Sequence, residues 1–339
     1  MNKKYNVAIV GTGHTANKFH IPAFKKNKQI KEIILFDINK KNLLKSAKIN
    51  NLKSTYSNFE NMIAEKKIDI INICTPPYRH YYYIIKAIKN NFNIFVEKPF
   101  VTSVKQLENI STFLKKHNVN CYCAYHQRAR PISKKIKEII ERKEIGKVYY
   151  IRIIHRQFRS IPKHSKYFSL KKFSGGGPLI DLGSHYFDLI GWFLKFPKVK
   201  RVTSRNFSNI TDIKKNKKFL PFKIYNNEEM SVGNLELANG CHINYEIGYV
   251  LNTKEEIKSV EIFGTKGSLK WPEGKMYVIK KNKIKEKKIK IKNYLASEKQ
   301  VNQFIKNIGS KFNLSYLKEV KFTVKLIEKI YKSKKYGQS

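Results

Sequence analysis

The first third of the chain alternates short apolar runs with amphipathic stretches, and this alternation restricts the possible folds more than any other feature of the sequence. The amphipathic stretches have the length and polarity of helices, and the apolar runs suit strands that are buried on both faces. Strands separated by helices in this way form a parallel, doubly wound sheet. The predicted strands are Val7–Val10, Ile33–Phe36, Ile68–Ile73, Ile94–Val96 and Val119–Tyr125.

Beyond Tyr125 the predicted strands become longer and alternate between polar and apolar residues, which is typical of antiparallel sheets. We therefore predict two domains. An α/β Rossmann domain with a doubly wound parallel sheet occupies residues 1–124, and an α+β domain with a large open antiparallel sheet occupies residues 125–339. The predicted elements of the second domain are Ile132–Lys143, Lys147–Phe158, Val232–Leu237, Cys241–Tyr249, Ile257–Phe263, Glu298–Ile308 and Leu317–Lys332, with a lysine- and asparagine-rich loop at Asn209–Asn227.

The charge of the chain is strongly positive but dispersed. Its 339 residues have a formal net charge of +44, and only nine of the 69 basic residues are arginine. Nucleic-acid-binding proteins typically rely on arginine and on clustered basic patches, whereas these lysines are spread through every segment. We therefore expect no specific nucleic-acid partner, although anionic substrates would be attracted.

The sequence also limits the location and the metal content of the protein. No apolar run reaches the roughly 18 residues of a membrane-spanning helix, so we predict no membrane span. The four cysteines do not have the spacing of metal ligands, and we expect no metal site. A reducing cytoplasm is the simplest setting for such cysteines. They are Cys74, Cys121, Cys123 and Cys241.

A glycine-rich turn follows the first predicted strand and precedes a helix. In this context Gly11 allows a tight turn, and Gly13 allows a pyrophosphate to approach the backbone at the helix N-terminus. Asp37 follows the second strand, where a carboxylate would bind the adenosine ribose and repel a 2′-phosphate. This predicts NAD as the cofactor, with NADP possible because lysines lie nearby. The residues of the turn are Gly11, Thr12, Gly13, His14, Thr15 and Ala16.

Two proline-containing loops follow later strands of the same sheet. Ligands of doubly wound sheets lie beyond the carboxyl ends of the strands, and Thr75-Pro76-Pro77 and Glu97-Lys98-Pro99 both occupy such ends. Proline stiffens a loop and restricts the preceding residue to extended backbone. We expect Lys98 to be directed toward the ligand, although a lysine in a surface loop is the simpler alternative.

The stretch Ser174–Asp188 carries three consecutive glycines, an acid and a histidine. Glycine lets the backbone approach a bulky group closely. On a continuous helix Asp181 and His185 are four residues apart and share one face. A carboxylate beside an imidazole on a rigid element can handle a proton. We interpret the pair as catalytic and the glycines as an opening toward nicotinamide and substrate; a capped helix with a solvated face is the alternative.

Four motifs, in this order along the chain, resemble the Gfo/Idh/MocA oxidoreductases, the family of glucose–fructose oxidoreductase and inositol dehydrogenase. The resemblance implies a Rossmann domain and a second domain whose open sheet is used for oligomerisation, hence a homo-oligomer, either a dimer or a tetramer. It also implies hydride transfer between nicotinamide and a hydroxyl-bearing carbon of a sugar or polyol. The motifs are the glycine turn, Thr75-Pro-Pro-x-x-His80, Glu97-Lys98-Pro99 and Gly175-Gly-Gly-x-Leu-x-Asp181-x-Gly-x-His185-x-x-Asp188.

The resemblance assigns roles to individual residues. Lys98 would contact the reacting hydroxyl and the cofactor, His185 would be the acid/base, and Asp181 would orient His185 or share its work. A neutral histidine suits removal of a hydroxyl proton at neutral pH. The residues placed near the nicotinamide ribose are Thr75, Pro76, His80 and Glu97.

The sequence leaves the substrate open. A segment before the glycines, His155–Lys172, should overhang the pocket, and its arginine, histidine and tyrosine side chains are suited to hydroxyl or carboxylate groups. Two alternatives to a sugar or polyol dehydrogenase remain at this stage. One is a nucleotide-sugar dehydrogenase or reductase in polysaccharide precursor synthesis, and the other is a non-catalytic dinucleotide-binding sensor. The candidate substrate-binding side chains are Arg156, Arg159, His164, Lys166 and Tyr167.

Overall fold

The computed structural model describes residues 3–117, 119–162, 166–211, 224–310 and 314–333. The chain forms two compact units. The first consists of residues 1–126 and 294–318, and the second of residues 127–293 and 319–339.

A six-stranded parallel sheet forms the centre of the first unit, with the strand order β3-β2-β1-β4-β5-β6. All five neighbouring pairs are parallel, which confirms the predicted Rossmann-type sheet. The central strands β1 and β4 are buried except for Asn6, because nearly all of their side chains are apolar on both faces. The strands are β1 (Tyr5–Val10), β2 (Ile30–Phe36), β3 (Thr55–Tyr56), β4 (Ile70–Ile73), β5 (Asn93–Val96) and β6 (Cys121–Cys123).

Helices connect these strands, and the first connection begins with an irregular turn. A π-helical turn at Ala16–His20 leads directly into α1 (Ile21–Lys26). Near the end of the chain, α11 (Ala296–Lys306) returns to this unit, where Val301, Phe304 and Ile305 join the hydrophobic cluster of β1 and β2. The other helices are α2 (Lys40–Asn50), α3 (Phe59–Glu65), α4 (Pro77–Lys89) and α5 (Val104–Lys116).

An eight-stranded sheet forms the second unit, with the order β14-β13-β12-β11-β7-β10-β9-β8. The predicted large sheet is confirmed, but it is mixed, because the central strands β7 and β10 run parallel while every other neighbouring pair is antiparallel. The strands are β7 (Val148–Arg156), β8 (Val199–Phe207), β9 (Met230–Leu237), β10 (His242–Gly248), β11 (Ile257–Gly264), β12 (Gly267–Trp271), β13 (Lys275–Lys280) and β14 (Lys283–Lys288).

Helices cover one face of this sheet. Alternate residues of β7 and β10, such as Ile153 and Tyr245, share a buried cluster with Phe187 and Leu189. A 3₁₀ turn at Lys166–Ser169 follows β7 after a loop. The helices of this part of the chain are α6 (His126–Ala129), α7 (Pro131–Glu141), α8 (Lys171–Ser174), α9 (Pro178–Asp181), α10 (Gly183–Phe193) and α12 (Leu314–Lys332), of which α12 begins in the first unit.

The structure adds elements that the sequence pattern did not predict. The hairpin of β13 and β14 is rich in lysine, and every residue of β14 is exposed, so no apolar alternation marks it as a strand. Residues 294–318 belong to the first unit, whereas the prediction placed all of 125–339 in one substrate and oligomerisation domain; that functional division stays a prediction. Most of the predicted loop at 209–227 lies outside the described residues.

None of the helices in the described ranges is long and apolar enough to cross a membrane.

Candidate cofactor and proton-transfer sites

The glycine turn of the first unit fits a dinucleotide phosphate. Gly11 has φ +94°, and a Cβ atom there would lie 2.9 Å from the carbonyl carbon of Cys74, so the neighbouring β4 end requires glycine. Gly13 is different, because an added Cβ would meet no atom within 4 Å. The protein itself therefore does not need glycine at position 13. The open space above its backbone suits an approaching pyrophosphate.

The side chain of Asn17 stabilises this turn. Its amide nitrogen donates to the carbonyl oxygens of Thr12 at 2.7 Å and Gly13 at 2.9 Å. The helical backbone starts at His14, which is exposed, and Thr15 is partly buried. The first N–H groups of a helix lack partners within it, so the backbone at the turn can donate to a phosphate.

Asp37 is held at the end of β2 by the same turn. Its Oδ2 accepts hydrogen bonds from the backbone N–H of Thr12 at 2.9 Å and from the Thr12 hydroxyl at 3.0 Å. Its Oδ1 accepts one from the backbone N–H of Asn39 at 2.8 Å. A carboxylate oxygen can accept more than one hydrogen bond, so Oδ1 retains capacity for a ribose hydroxyl. Asn39, rather than Asp37, caps α2.

His80 connects the two predicted proline loops from inside the first unit. Its ring nitrogens lie 2.8 Å from the carbonyl oxygens of Thr75 and Pro99, and the side chain is completely buried. Burial lowers the pKa of His80, while the Thr75 and Pro99 carbonyls act to raise it. The structure thus supports a role for His80 in holding both loops, and a direct contact with the cofactor stays a prediction.

The loop that carries Lys98 starts at the carboxyl end of β5. Glu97 is anchored by its backbone N–H, which donates to Ile73 of β4 at 2.9 Å. Its carboxylate points inward to His20, and Lys98 is half-buried, as are Thr75 and Pro76. The residues predicted to bind the cofactor lie just beyond the carboxyl ends of β1, β2, β4 and β5, except His80, which lies in the first turn of α4. This is the side of the sheet where such folds bind ligands.

In the second unit, Asp181 and His185 lie on two helical segments and not on the single helix that the sequence predicted. Asp181 ends α9 and His185 lies in the first turn of α10. Leu182 joins them with φ −88° and ψ −44°, and its carbonyl accepts a tightened hydrogen bond from the His185 N–H at 3.0 Å. The backbone at Leu182 therefore keeps helical dihedral angles, and the side chains of Asp181 and His185 remain on neighbouring turns.

Two of the three glycines before α9, Gly176 and Gly177, lie against other parts of the chain, a role that our interpretation of the glycines as an opening did not include; that opening stays a prediction. A Cβ atom on Gly176 would lie 1.9 Å from the Tyr331 hydroxyl, and one on Gly177 would lie 2.0 Å from the Glu228 carbonyl oxygen. The Glu228 side chain then accepts hydrogen bonds from the backbone N–H of Gly177 at 2.9 Å and from the Tyr331 hydroxyl at 2.8 Å. Glycine is required here so that a buried carboxylate can reach the start of α9.

Two side chains beside Asp181 were missed by the sequence reasoning. The hydroxyl of Tyr249 donates a short hydrogen bond to Asp181 Oδ2, and burial, together with Asp181, raises the pKa of Tyr249 far above its usual value. His155 lies at the end of β7, with its Nδ1 2.8 Å from the Tyr186 hydroxyl. Tyr249, directly after β10, and His155, in β7, each fall on the buried side of the alternating pattern of these strands. Only the register between these two strands shows that the two side chains lie near each other.

His155 is held in its neutral form. Burial lowers its pKa to about 4, assisted by Lys258, while Asp181 and Gln157 act in the opposite direction. The side chain is only 3% exposed. The His155 imidazole binds a proton less readily in the folded protein than in the unfolded chain. The contribution of neutral His155 to the free energy of unfolding is therefore complete above pH 6.5 and is lost as the pH falls toward 4.

This shift predicts a pH dependence of stability that His155→Gln removes. Between pH 6.5 and pH 4 the free energy of unfolding of the original protein should fall by on the order of 3 kcal/mol more than that of the variant. The reason is that only the original protein has a buried imidazole that gains a proton on unfolding in this pH range. Urea unfolding at several pH values, followed by tryptophan fluorescence, measures the difference. His242→Gln is the matched control, since His242 is exposed. Equal losses in His155→Gln and the original protein would contradict the prediction.

The side chains predicted to overhang the substrate have partners within the second unit. Arg156 lies 3.5 Å from Glu246, Arg159 donates to Asn252 at 3.4 Å, and the Tyr167 ring packs edge-on against Phe173. His164 and the side chain of Lys166 lie outside the described part of the chain. Among the described residues, no group of three or more histidine, cysteine or acidic side chains could hold a metal ion.

Comparison with known families gives a match to both units. The family model described as "Oxidoreductase family, NAD-binding Rossmann fold" matches residues 5–125. The model described as "GFO/IDH/MocA C-terminal domain" matches residues 133–270. A D-glucoside 3-dehydrogenase of Escherichia coli is 25% identical over 263 residues, covering 77% of this chain and 75% of that protein.

Solved structures share the fold at lower sequence identity. A myo-inositol 2-dehydrogenase from Lactobacillus plantarum superposes with a TM-score of 0.80 at 20% identity, over 98% of this chain and 97% of that one. A levoglucosan dehydrogenase in complex with NADH and levoglucosan gives 0.82 at 16% identity, over 98% and 97%.

Proposed function

Because the chain belongs to the Gfo/Idh/MocA oxidoreductase family, with an NAD-binding Rossmann domain, we propose that it transfers hydride between NAD and a hydroxyl-bearing carbon of a sugar or polyol. The observation that carries the proposal is the glycine turn. The open space at Gly13 supports a phosphate site there, and the hydrogen bonds between Thr12 and Asp37 support a ribose site beside it. The names of the relatives, which include glucoside and inositol dehydrogenases, support the substrate class.

The residues of the first unit would hold NAD in a defined way. The backbone at Gly13 and His14 would bind the pyrophosphate, and Asp37 Oδ1 would accept a hydrogen bond from the adenosine ribose. The two loops braced by His80 would flank the nicotinamide end. When bound, NAD supplies the acceptor for the hydride. A carboxylate fixed by three hydrogen bonds favours NAD over NADP, since a 2′-phosphate would be repelled.

The proton would be handled by the second unit. As hydride leaves the carbon, the substrate hydroxyl must lose its proton, and the imidazole of His185 is proposed to take it. Asp181 would stabilise the imidazolium that forms, and the Tyr249 hydroxyl holds Asp181 Oδ2 in place. The ammonium of Lys98 would stabilise the developing alkoxide. In the reverse direction His185 would return the proton to the same oxygen.

A substrate panel with a binding control tests this proposal. The protein is assayed with NAD and with NADP against glucosides, inositols, sugar acids and nucleotide sugars, following the absorbance of reduced nicotinamide. We expect turnover of a sugar or polyol with a lower KM for NAD. Gly13→Val should fold normally, since its side chain enters open space, yet it should lose NADH binding. NADH binding without turnover across the panel would indicate a sensor, and unchanged NADH binding by Gly13→Val would contradict the site.

A further inference from the structure

A buried histidine that none of the motifs assigns lies beneath the loop of Lys98. His20 ends the π-helical turn and is 5% exposed. Its Nε2 lies 2.5 Å from Glu97 Oε1, and its Nδ1 lies 3.0 Å from Asn72 Oδ1. The Asn72 amide nitrogen is directed at Cys74 Sγ, 3.5 Å away, which leaves the amide oxygen facing His20. Both ring nitrogens of His20 therefore face oxygen acceptors, and an imidazole that donates from both nitrogens is an imidazolium.

The charges around His20 agree with this geometry. Burial by itself would lower the pKa of His20, but Cys74 and Glu97 raise it well above its usual value. For Glu97, burial acts to raise the pKa, and His20, Lys98 and His126 together bring it below its usual value. Both pKa shifts favour the charged forms of His20 and Glu97. A buried ion pair needs such geometry, because its desolvation is costly.

The pair is connected to Lys98 through the second oxygen of Glu97. Glu97 Oε2 accepts a hydrogen bond from the backbone N–H of Lys98 at 3.1 Å, while Oε1 is bound to His20. The chain of contacts runs from Asn72 on β4 and Cys74 just after it, through His20, to the first residues of the loop after β5. It therefore ties together the two strand ends from which the proposed nicotinamide loops start.

We propose that His20 is a positioning residue of the hydride-transfer site: its imidazolium holds Glu97, and Glu97 fixes the backbone and the electrostatic surroundings of Lys98. The inference rests on the proposed function, since it gives Lys98 a role at the reacting hydroxyl. Without the charge of His20, the buried Glu97 carboxylate would draw the Lys98 ammonium toward itself. The ammonium would then be misplaced for stabilising an alkoxide, even though the fold and the phosphate site are intact.

The first test is the protonation state of His20 in the protein without cofactor. Nitrogen NMR of protein labelled in its histidines should show, at pH 8, a signal from an imidazole with both ring nitrogens protonated that disappears in His20→Gln; His80→Gln, which removes the other histidine whose two nitrogens face oxygen acceptors, should leave that signal in place. A neutral His20 at pH 8, with Asn72 donating to it, would overturn the proposal. This measurement is independent of catalysis and of the substrate.

The second test compares His20→Gln, Glu97→Gln and the double variant. His20→Gln should lower kcat by about 10- to 100-fold and leave the dissociation constant of NADH within about threefold. The double variant should recover part of kcat, because two neutral amides replace an unpaired buried carboxylate. No recovery, or a loss confined to thermal stability, would show that the pair is only structural.

Two further variants separate this inference from the proposed function. Lys98→Met should be nearly inactive, and His242→Gln, a change on the exposed surface, should behave as the original protein. If Lys98→Met retains full turnover, the proposed role of Lys98 is wrong. If Lys98→Met is inactive while His20→Gln turns over normally, only the inference about His20 is wrong.

Discussion

Replacing His185 with alanine should lower kcat by about 10²- to 10⁴-fold, the usual contribution of a positioned general base, while the dissociation constant of NADH changes little. The residues of the proposed phosphate and ribose sites belong to the first unit, whereas His185 belongs to the second, so a change at His185 should leave cofactor binding intact. Steady-state kinetics on the substrate found in the panel, together with NADH fluorescence titration, measure both quantities.

The variants around His185 sharpen this expectation. Asp181→Asn should lose less activity than His185→Ala, because the amide keeps the shape but cannot stabilise an imidazolium. Tyr249→Phe removes the hydroxyl that donates to Asp181, and it should lower the activity less than Asp181→Asn does. Added imidazole should restore part of the turnover of His185→Ala if the missing group is a base. Turnover by His185→Ala equal to that of the original protein would refute the assignment.

Replacing Arg128 with alanine should destabilise the second unit by about 3–5 kcal/mol, the cost of leaving a buried charge without its partner. Asp188 is completely buried, and its two oxygens accept hydrogen bonds from Arg128 at 2.5 Å and 2.6 Å. Arg128 also donates to Glu319 at 2.5 Å and lies over the Phe196 ring. Both tryptophans, Trp192 and Trp271, belong to this unit, so their fluorescence during urea unfolding reports its stability.

The exposed pair of Arg152 and Glu261 provides the matched control. Its side chains are 47% and 21% exposed, and the closest distance is 2.7 Å. Arg152→Ala should therefore cost no more than about 1 kcal/mol. A double variant, Arg128→Leu with Asp188→Leu, should be more stable than Arg128→Ala, since no charge remains buried. Equal losses for Arg128→Ala and Arg152→Ala would contradict this explanation of the motif residue Asp188.

The parts of the candidate site that follow one another along the chain could be predicted. Gly11, Gly13 and Asp37 belong to one strand–turn–helix–strand unit, and their functions depend on local backbone geometry. Lys98 could be placed at a strand end because apolar strands and proline loops have clear sequence patterns. The continuous helix through Asp181 and His185 was predicted wrongly in one detail, the break at Leu182, because nothing in the local sequence marks a tightened turn.

The glycines of residues 175–177 show why the remaining interpretations needed the structure. From sequence they could admit a cofactor, a substrate or another part of the protein. In the structure Gly176 lies against Tyr331 and Gly177 against Glu228, and both partners are far away along the chain. Likewise, Tyr249 looked like the last residue of a strand, and only the packing of α9 against β10 brings it to Asp181.

The sequence alone determined the parallel sheet, the presence of a second large sheet, the glycine turn and the family, because hydrophobic periodicity and turn chemistry act over a few neighbouring residues. The tertiary structure decided which side chains are partners: His20 with Glu97, Arg128 with Asp188, and Glu228 with the glycines. These pairs are separated by 77, 60 and 51 residues. Their energies come from burial and from the exclusion of water, and both are properties of the packed chain and not of any segment of it.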